Sequence, residues 1–277
     1  MIPMIPLTRE LQTAKELAKQ AGAILLDAFH NNSPVRWKGV GNPVTAADSM
    51  ASSFLVDELR KRFPEDGILS EEEADDRSRL NRTRAWIIDP MDGTSEFVSH
   101  IGEFAVMIGL AVSGKPVLGV MYQPTEAKLF YGVSGGGAFV ELRGVTTRLK
   151  VPAKDASSDI VAAISRSHDS EKYQTMRRAV GVARTIPSGG AGLKIGMICE
   201  GQADVYIHAG PETNQWDTCA PEAILVEAGG RITDIFNAPL QYNVEETGNL
   251  LGVIASNGVI HEQVVQAARL VLPIRQG

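Results

Sequence analysis

The chain has 277 residues, 44% of them hydrophobic and 22% charged, with 27 basic against 33 acidic side chains and a formal net charge of −6. That length suits one large domain or two of ordinary size, and the acidic balance excludes a general nucleic-acid coat, which needs a basic excess. An anionic small substrate is still allowed, because bound metal ions can reverse the local sign.

Residues 1–6 carry no basic stretch and no long apolar run, so they do not read as a signal peptide. Residues 7–29 read as an amphipathic helix, with Leu11, Ala14, Leu17, Ala18, Ala21, Leu25 and Ala28 at three-four spacing. Thr8 is its expected N-cap, and Asn31-Asn32-Ser33-Pro34 ends it. A second helix follows Asn42-Pro43-Val44-Thr45, with Phe54, Leu55 and Leu59 on one face, and stops near Pro64. A short strand is expected at 68–69.

The apolar run Trp86-Ile87-Ile88 is a buried strand that runs into Asp89-Pro90-Met91-Asp92-Gly93-Thr94. The residue before a proline favours extended geometry, and proline donates no backbone hydrogen bond, so the strand is expected to stop at Asp89-Pro90. It then delivers Asp89 and Asp92 to one sheet edge. Carboxylates crowded there repel unless a cation lies between them, and oxygen-only ligands suit a hard ion such as Mg²⁺.

Strands at 105–112 and 116–122 flank Ser113-Gly114-Lys115, and strands at 129–133 and 138–142 flank Ser134-Gly135-Gly136-Gly137. Consecutive hairpins predict an antiparallel sheet with the two N-terminal helices covering one face. Beyond about Lys150 the order alternates. Strands are expected at 160–164, 203–207 and 251–255, and helices at 171–180, 191–199, 218–228 and 261–271. Alternation predicts an α/β layer. A boundary near 145–155 divides an α+β half, 1–150, which carries most of the metal-binding residues, from an α/β half, 151–277, with the active site between them.

Cys199 and Cys219 make no disulfide framework, which points to a reduced, cytoplasmic setting. No stretch approaches the roughly 18 apolar residues of a membrane span. Trp37, Trp86 and Trp216 are read as packing residues. Cys219 is read as a buried thiol rather than a ligand, since thiolates disfavour Mg²⁺.

Four acidic clusters can converge: Glu71-Glu72-Glu73, Asp89 with Asp92, Asp217 in Trp216-Asp217-Thr218, and Asp48 in Thr45-Ala46-Ala47-Asp48. Each also has an ordinary reading. A Glu triplet is commonly a solvated charge run. Asp217 and Asp48 suit helix N-termini as caps. Asp89-Pro90 with Asp92-Gly93 suits a type I turn. Spacing alone leaves both readings open.

Asp89-Pro90-Met91-Asp92-Gly93-Thr94, preceded by Trp86-Ile87-Ile88 and by Glu71-Glu72, resembles the first signature of the inositol monophosphatase superfamily. Trp216-Asp217-Thr218, running into Glu227-Ala228-Gly229-Gly230, resembles the second. The resemblance extends over 7–270 and implies a layered α-β-α-β-α sandwich of the inositol monophosphatase and fructose-1,6-bisphosphatase type. It implies a lithium-sensitive, Mg²⁺-dependent phosphatase using two or three ions, acting on a small phosphorylated substrate, and a homodimer in many relatives. Carried over residue by residue, Glu71 and Asp89 hold one metal with the Met91 carbonyl. Asp89, Asp92 and Asp217 hold the second, and Glu72 reaches a third through water. Thr94 pairs with Asp48 to orient and deprotonate the attacking water. Gly93, Thr94 and Ser95 present backbone N–H groups to the phosphate. Ser70 and Met91 depart from the family's usual Gly and Leu or Ile.

Further segments resemble the 3′(2′),5′-bisphosphate nucleotidase branch: Thr94-Ser95-Glu96-Phe97, Ile101-Gly102-Glu103-Phe104, Ser165-Arg166-Ser167-His168, Ser188-Gly189-Gly190-Ala191-Gly192-Leu193-Lys194, and Trp216–Glu222. Ser188, the amides of Gly189 and Gly190, and Lys194 at an expected helix start form an anion site for a second phosphate. Ser167 and His168 are placed on the ribose or the 5′-phosphate, and Lys38 matches a pocket lysine in some relatives. Gly189-Gly190 as a plain turn, His168 as a surface histidine and Arg166 as a solvated side chain stay open beside these roles. Two other functions remain: an inositol or sugar phosphatase, and a non-catalytic protein that binds metal and sugar phosphate.

Overall fold

A computed structural model describes residues 7–31, 35–39, 42–155, 159–166 and 171–271. Helices α1 (Thr8–His30) and α2 (Ala46–Arg62) bracket strands β1 (Val35–Gly39) and β2 (Asn42–Thr45), which form a small antiparallel ribbon. β3 (Gly67–Ser70), β4 (Arg84–Asp92), β5 (Ala105–Val112), β6 (Lys115–Gln123), β7 (Lys128–Val133), β8 (Gly137–Leu142) and β9 (Val145–Arg148) follow in the same order across a seven-stranded sheet. The short α3 (Thr94–Val98) leaves the end of β4. The second half builds β10 (Ile160–Ser165), α4 (Glu171–Val180), β11 (Val182–Ser188), α5 (Ala191–Cys199), β12 (Val205–His208), α6 (Gln215–Glu227), β13 (Arg231–Thr233), β14 (Val253–Ser256) and α7 (His261–Val271). Its five-stranded sheet runs β11-β10-β12-β14-β13.

Strand alternation sets the layers. Trp86 and Ile88 of β4 pack with Val106 and Ile108 against Leu17, Leu25, Leu55 and Leu59 of the two N-terminal helices. Ile87 points the other way, into a second core with Met107, Met121 and Phe130, where Ile195, Ile198, Cys219 and Ile224 of α5 and α6 meet them. Val161, Ala163, Val253 and Ala255 of the five-stranded sheet close that core from beyond. Ile160, Ala162, Val205 and Ile254 face outward onto Met176 of α4 and Val264 of α7. The result is α-β-α-β-α, as the resemblance implies. One core therefore runs across the boundary expected near 145–155.

Several sequence expectations need correction. β4 does not stop at Asp89-Pro90. It continues to Asp92, because Asp89 pairs with Met107 and Asp92 with Ala105, so one extra residue is absorbed as a bulge. Thr8 is not a cap. Leu7 precedes the first turn and has no side-chain cap bond. Helix α6 starts at Gln215, three residues earlier than expected. β1, β2, β9, β11 and β13 have no counterpart among the strands that the sequence pattern predicts. Among the described residues, no helix is long and apolar enough to cross a membrane.

Candidate active site

The bulge in β4 puts two carboxylates where one would alternate away. Asp89 and Asp92 are buried, and one ligand atom from each lies within 4.8 Å of the other and of Asp217. Three elements meet here: the end of β4, the first turn of α6 and the first turn of α5. Asp89 Oδ1 accepts from the Met91 N–H at 2.9 Å, which fixes the bulge. Asp92 accepts from the N–H groups of Ala191 and Gly192, each at 2.8 Å. The first turn of α5 is thus answered by an internal carboxylate at the helix's positive end. Gly190 makes the approach possible: its φ is +58°, and a Cβ there would lie 2.2 Å from Asp92 Oδ2.

Asp217 closes a capping box, accepting from Asn214 N–H at 2.6 Å. Asp48 does the same on α2, accepting from the amide and hydroxyl of Thr45 at 2.7 Å each. Neither aspartate is the N-cap expected: Thr45 and Asn214 hold that position, and Asp48 and Asp217 stand three residues on, each spending one oxygen on the N-cap backbone N–H and keeping the other. For Asp48 the other oxygen meets Thr94 Oγ1 at 3.3 Å. The Thr94 hydroxyl also lies 3.1 Å from the Met91 carbonyl.

Glu71 stands beside the cluster because β3 runs parallel to β4 with Ser70 opposite Ile88, and Glu71 N–H donates to the Ile88 carbonyl at 3.2 Å. Burial, then the charges of Glu71, Asp92 and Asp217, pushes the Asp89 carboxyl well above the usual carboxylate range. Burial, then Asp92 and Glu71, does the same to Asp217. Asp92 is raised by burial and held back by Lys194 and by its two amides. Burial raises Asp48, with its cap bonds opposing and the charge of Glu72 adding to the rise. Ser70, where relatives often carry Gly, is buried and its hydroxyl meets Ser52 Oγ at 2.9 Å.

Gly93 starts α3 with φ +99°, and a Cβ there would lie 2.5 Å from the Glu103 carbonyl. Phe97 N–H makes the first bond of that turn, to Gly93 O, so the amides of Thr94 and Ser95 precede it. Ser188 ends β11 and is buried, as is Lys194 on α5. The Lys194 amine lies 5.1 Å from the Tyr206 ring centroid. Burial lowers its pKa, against the charges of Asp92, Glu96, Asp217 and Glu103. Lys194 therefore stands between the aspartate cluster and a Glu96–Glu103 wall.

The resemblance implies no role for Glu96 or Glu103, yet Glu103 organises this side of the site. Glu103 accepts from the Gly189 amide at 2.7 Å and forms a two-point pair with Arg166, at 2.6 and 3.2 Å. Gly189 is thus not a free anion-binding amide, and Arg166, although exposed, is held in an ion pair. Partners 63 and 86 residues away along the chain leave no local pattern to find. Ser167 and His168 lie outside the described residues, as does the side chain of Lys38.

On α6 itself, Glu222 is pushed up to about 7 by burial, although it accepts from Tyr242 OH at 2.6 Å. A carboxyl raised in the folded state binds its proton more tightly there, so stability falls as pH rises from the ordinary 4.5 to about 7. Glu222→Gln keeps an acceptor for Tyr242. Its stability relative to the wild type is expected to climb over that window to a plateau of up to about 3 kcal/mol. The subtraction removes the opposite slope of His261, whose pKa burial lowers to about 4. Urea titrations at four pH values check this, and parallel curves refute it.

The chain matches the inositol monophosphatase family over residues 7–272. It is 37% identical over 235 residues to the 3′(2′),5′-bisphosphate nucleotidase CysQ of Escherichia coli K12, covering 84% of this chain and 93% of that protein. The structure is similar to that of the extragenic suppressor protein suhB from Bartonella henselae, with a TM-score of 0.80, 28% identity, and coverage of 94% of this chain and 98% of that one. It is also similar to CysQ from Bacteroides thetaiotaomicron, with a TM-score of 0.75, 30% identity, and coverage of 90% and 97%.

Proposed function

The chain belongs to the inositol monophosphatase family, and we propose that it is a Mg²⁺-dependent phosphomonoesterase that removes the 3′-phosphate of 3′-phosphoadenosine 5′-phosphate, and of its 5′-phosphosulfate form. The observation that carries this is the meeting of Asp89, Asp92 and Asp217 within 4.8 Å, next to the Asp48–Thr94 pair. The donor set fits the ion: every ligand atom of the cluster is a carboxylate oxygen, hard oxygens suit Mg²⁺, and a divalent cation offsets the repulsion that raises Asp89 and Asp217.

Glu71, Asp89 and the Met91 carbonyl would hold one ion, and Asp89, Asp92 and Asp217 a second, with Glu72 reaching a third through water. When bound, Mg²⁺ lowers the pKa of water, screens the phosphate dianion and stabilises the leaving oxygen. The protein's own groups do the rest. Thr94 Oγ1 accepts the proton of the attacking water while donating its own to Asp48 Oδ1, which is thereby protonated and neutralised, while Oδ2 stays fixed on the cap. The amides of Gly93, Thr94 and Ser95 face the reacting phosphate at the left-handed turn. Ser188, Gly190 and Lys194, with Ser167 and His168, receive the rest of the nucleotide. Glu103 holds the Gly189 turn and Arg166 in place around them. Identity to nucleotidases named CysQ favours the bisphosphate over an inositol ester.

Phosphate release from 3′-phosphoadenosine 5′-phosphate, inositol 1-phosphate and fructose 1,6-bisphosphate, with Mg²⁺ and then with Li⁺ added, tests the reading. The bisphosphate nucleotide is expected to have the highest kcat/KM, and Li⁺ to suppress it. Preference for inositol 1-phosphate would move the protein to the inositol phosphatases. Turnover of none of the three would leave the metal and sugar-phosphate binding protein.

A further inference from the structure

The β3–β4 connection and the start of α6 are joined through a third piece of chain. Arg79 is 1% exposed although it carries a full charge. Its Nε and Nη2 grip the Asp75 carboxylate at 2.8 to 3.2 Å. Its Nη1 donates to Asn243 Oδ1 at 3.2 Å and to the Val244 carbonyl at 3.1 Å. Asn243 Nδ2 returns two hydrogen bonds, to the carbonyls of Arg79 and Arg82, both at 3.0 Å. On the other side stands Gln215, the first residue of α6, also 1% exposed. Gln215 accepts from Asn243 N–H at 2.7 Å and donates to the carbonyls of Val244 at 3.2 Å and Glu246 at 2.8 Å.

Segment 243–247 is therefore fastened on one flank to the far end of the β3–β4 connection, where Arg79 packs on Gly67 at the start of β3, and on the other to the turn that carries Asp217. Asp89 and Asp92 come from one strand, paired on both sides by β3 and β5, and need no such help. Asp217 comes from a helix in another layer, and its charge opposes those of Asp92 and Glu71. Repulsion of that kind pushes the start of α6 away from the sheet edge. A buried polar network with all partners present resists the push, since breaking it strands donors in the interior.

We propose that Arg79, Asn243 and Gln215 form a clip that positions Asp217 against Glu71 and Asp89, and so sets the affinity of the carboxylate cluster for Mg²⁺. The inference rests on the metal-site reading above. None of the three touches the cluster as a ligand; they are positioning residues, of the kind whose loss costs metal affinity rather than the chemical step.

Asn243→Gly tests it. Asn243 has φ +54°, a conformation glycine adopts freely, so the backbone survives and three side-chain hydrogen bonds go. Asn237→Gly is the matched control. Asn237 also has a positive φ, +70°, but its side chain bonds to Arg231 and to Glu262 of α7, away from the carboxylates. MgCl₂ is titrated calorimetrically into the full chain in each form. Asn243→Gly is expected to raise the Mg²⁺ dissociation constant on the order of tenfold, with kcat at saturating Mg²⁺ close to wild type. Asn237→Gly is expected to leave both unchanged. Arg79→Lys keeps a charge opposite Asp75 but loses the fork to Asn243 and Val244, and reads the same effect independently. Wild-type affinity in Asn243→Gly and Arg79→Lys, or equal weakening in Asn237→Gly, overturns the clip. A wild-type chain that takes up no Mg²⁺ overturns the site itself, a different outcome seen before any variant is made.

Discussion

Asp89→Asn is expected to lower kcat/KM on the order of a thousandfold, the rate equivalent of the several kcal/mol of charge stabilisation that a metal provides. The same variant is expected to melt higher than the wild type in EDTA. The two effects share one cause. Asp89 sits between Glu71, Asp92 and Asp217, and their charges add to burial in raising its carboxyl. A raised carboxyl costs stability as pH climbs through and above the usual carboxylate range, so neutral asparagine at this position removes a repulsion. Asparagine also keeps an oxygen for the Met91 N–H, so the bulge that aims the side chain survives. With added Mg²⁺ the order reverses: the wild type gains melting temperature by mass action and the variant does not. Thermal scans with and without Mg²⁺ at pH 7.5 check the sign, and steady-state kinetics the size. Near-normal turnover in Asp89→Asn, or an equal Mg²⁺ shift in both proteins, would refute the role.

Much of this site is written locally. The apolar stripe of α1, the hairpins from β5 to β8 and the two acidic signatures each occupy a few adjacent residues, so the sequence shows them. What stayed hidden depends on distant partners. β11 reads Val-Ala-Arg-Thr-Ile-Pro-Ser, and most of it is exposed at a sheet edge, so no apolar alternation marks it; pairing with β10 makes it a strand. β13 has three residues and exists because β14 lies beside it. The continuation of β4 past Pro90 is hidden for the opposite reason. Proline's local rule says stop, and the neighbouring strand overrides it by taking up the extra residue as a bulge. In the site, the residue types were legible and their couplings were not. Nothing in the sequence says that Asp92 is answered by the first turn of α5, that Glu103 holds Gly189 and Arg166, or that Asn243 links Arg79 to Gln215. Asp48 and Asp217 show the converse: a carboxylate engaged in a local capping box still keeps its second oxygen for chemistry.

Asp48→Asn is expected to lower kcat by about a hundredfold to ten-thousandfold while leaving the Mg²⁺ dissociation constant unchanged. Asp48 Oδ2 accepts from the Thr45 amide and hydroxyl, and Oδ1 faces Thr94 Oγ1 at 3.3 Å. An asparagine has one acceptor oxygen, and the buried amide of Thr45 claims it, because an unanswered N–H at a helix start is costly. The side-chain NH₂ is then turned toward Thr94. The hydroxyl that should donate to position 48 now receives from it, and it can no longer pass on the proton it takes from water. The metal carboxylates are untouched, and the cap of α2 survives through the remaining oxygen, so the loss falls on the chemical step. Thr94→Val removes the hydroxyl from the other side of the pair. Residues that act as one unit do not add, so the double variant is expected to lose little more than either single one. Full additivity of the two losses, or a Mg²⁺ affinity that falls in step with kcat, would separate Asp48 from Thr94 and refute a shared proton path.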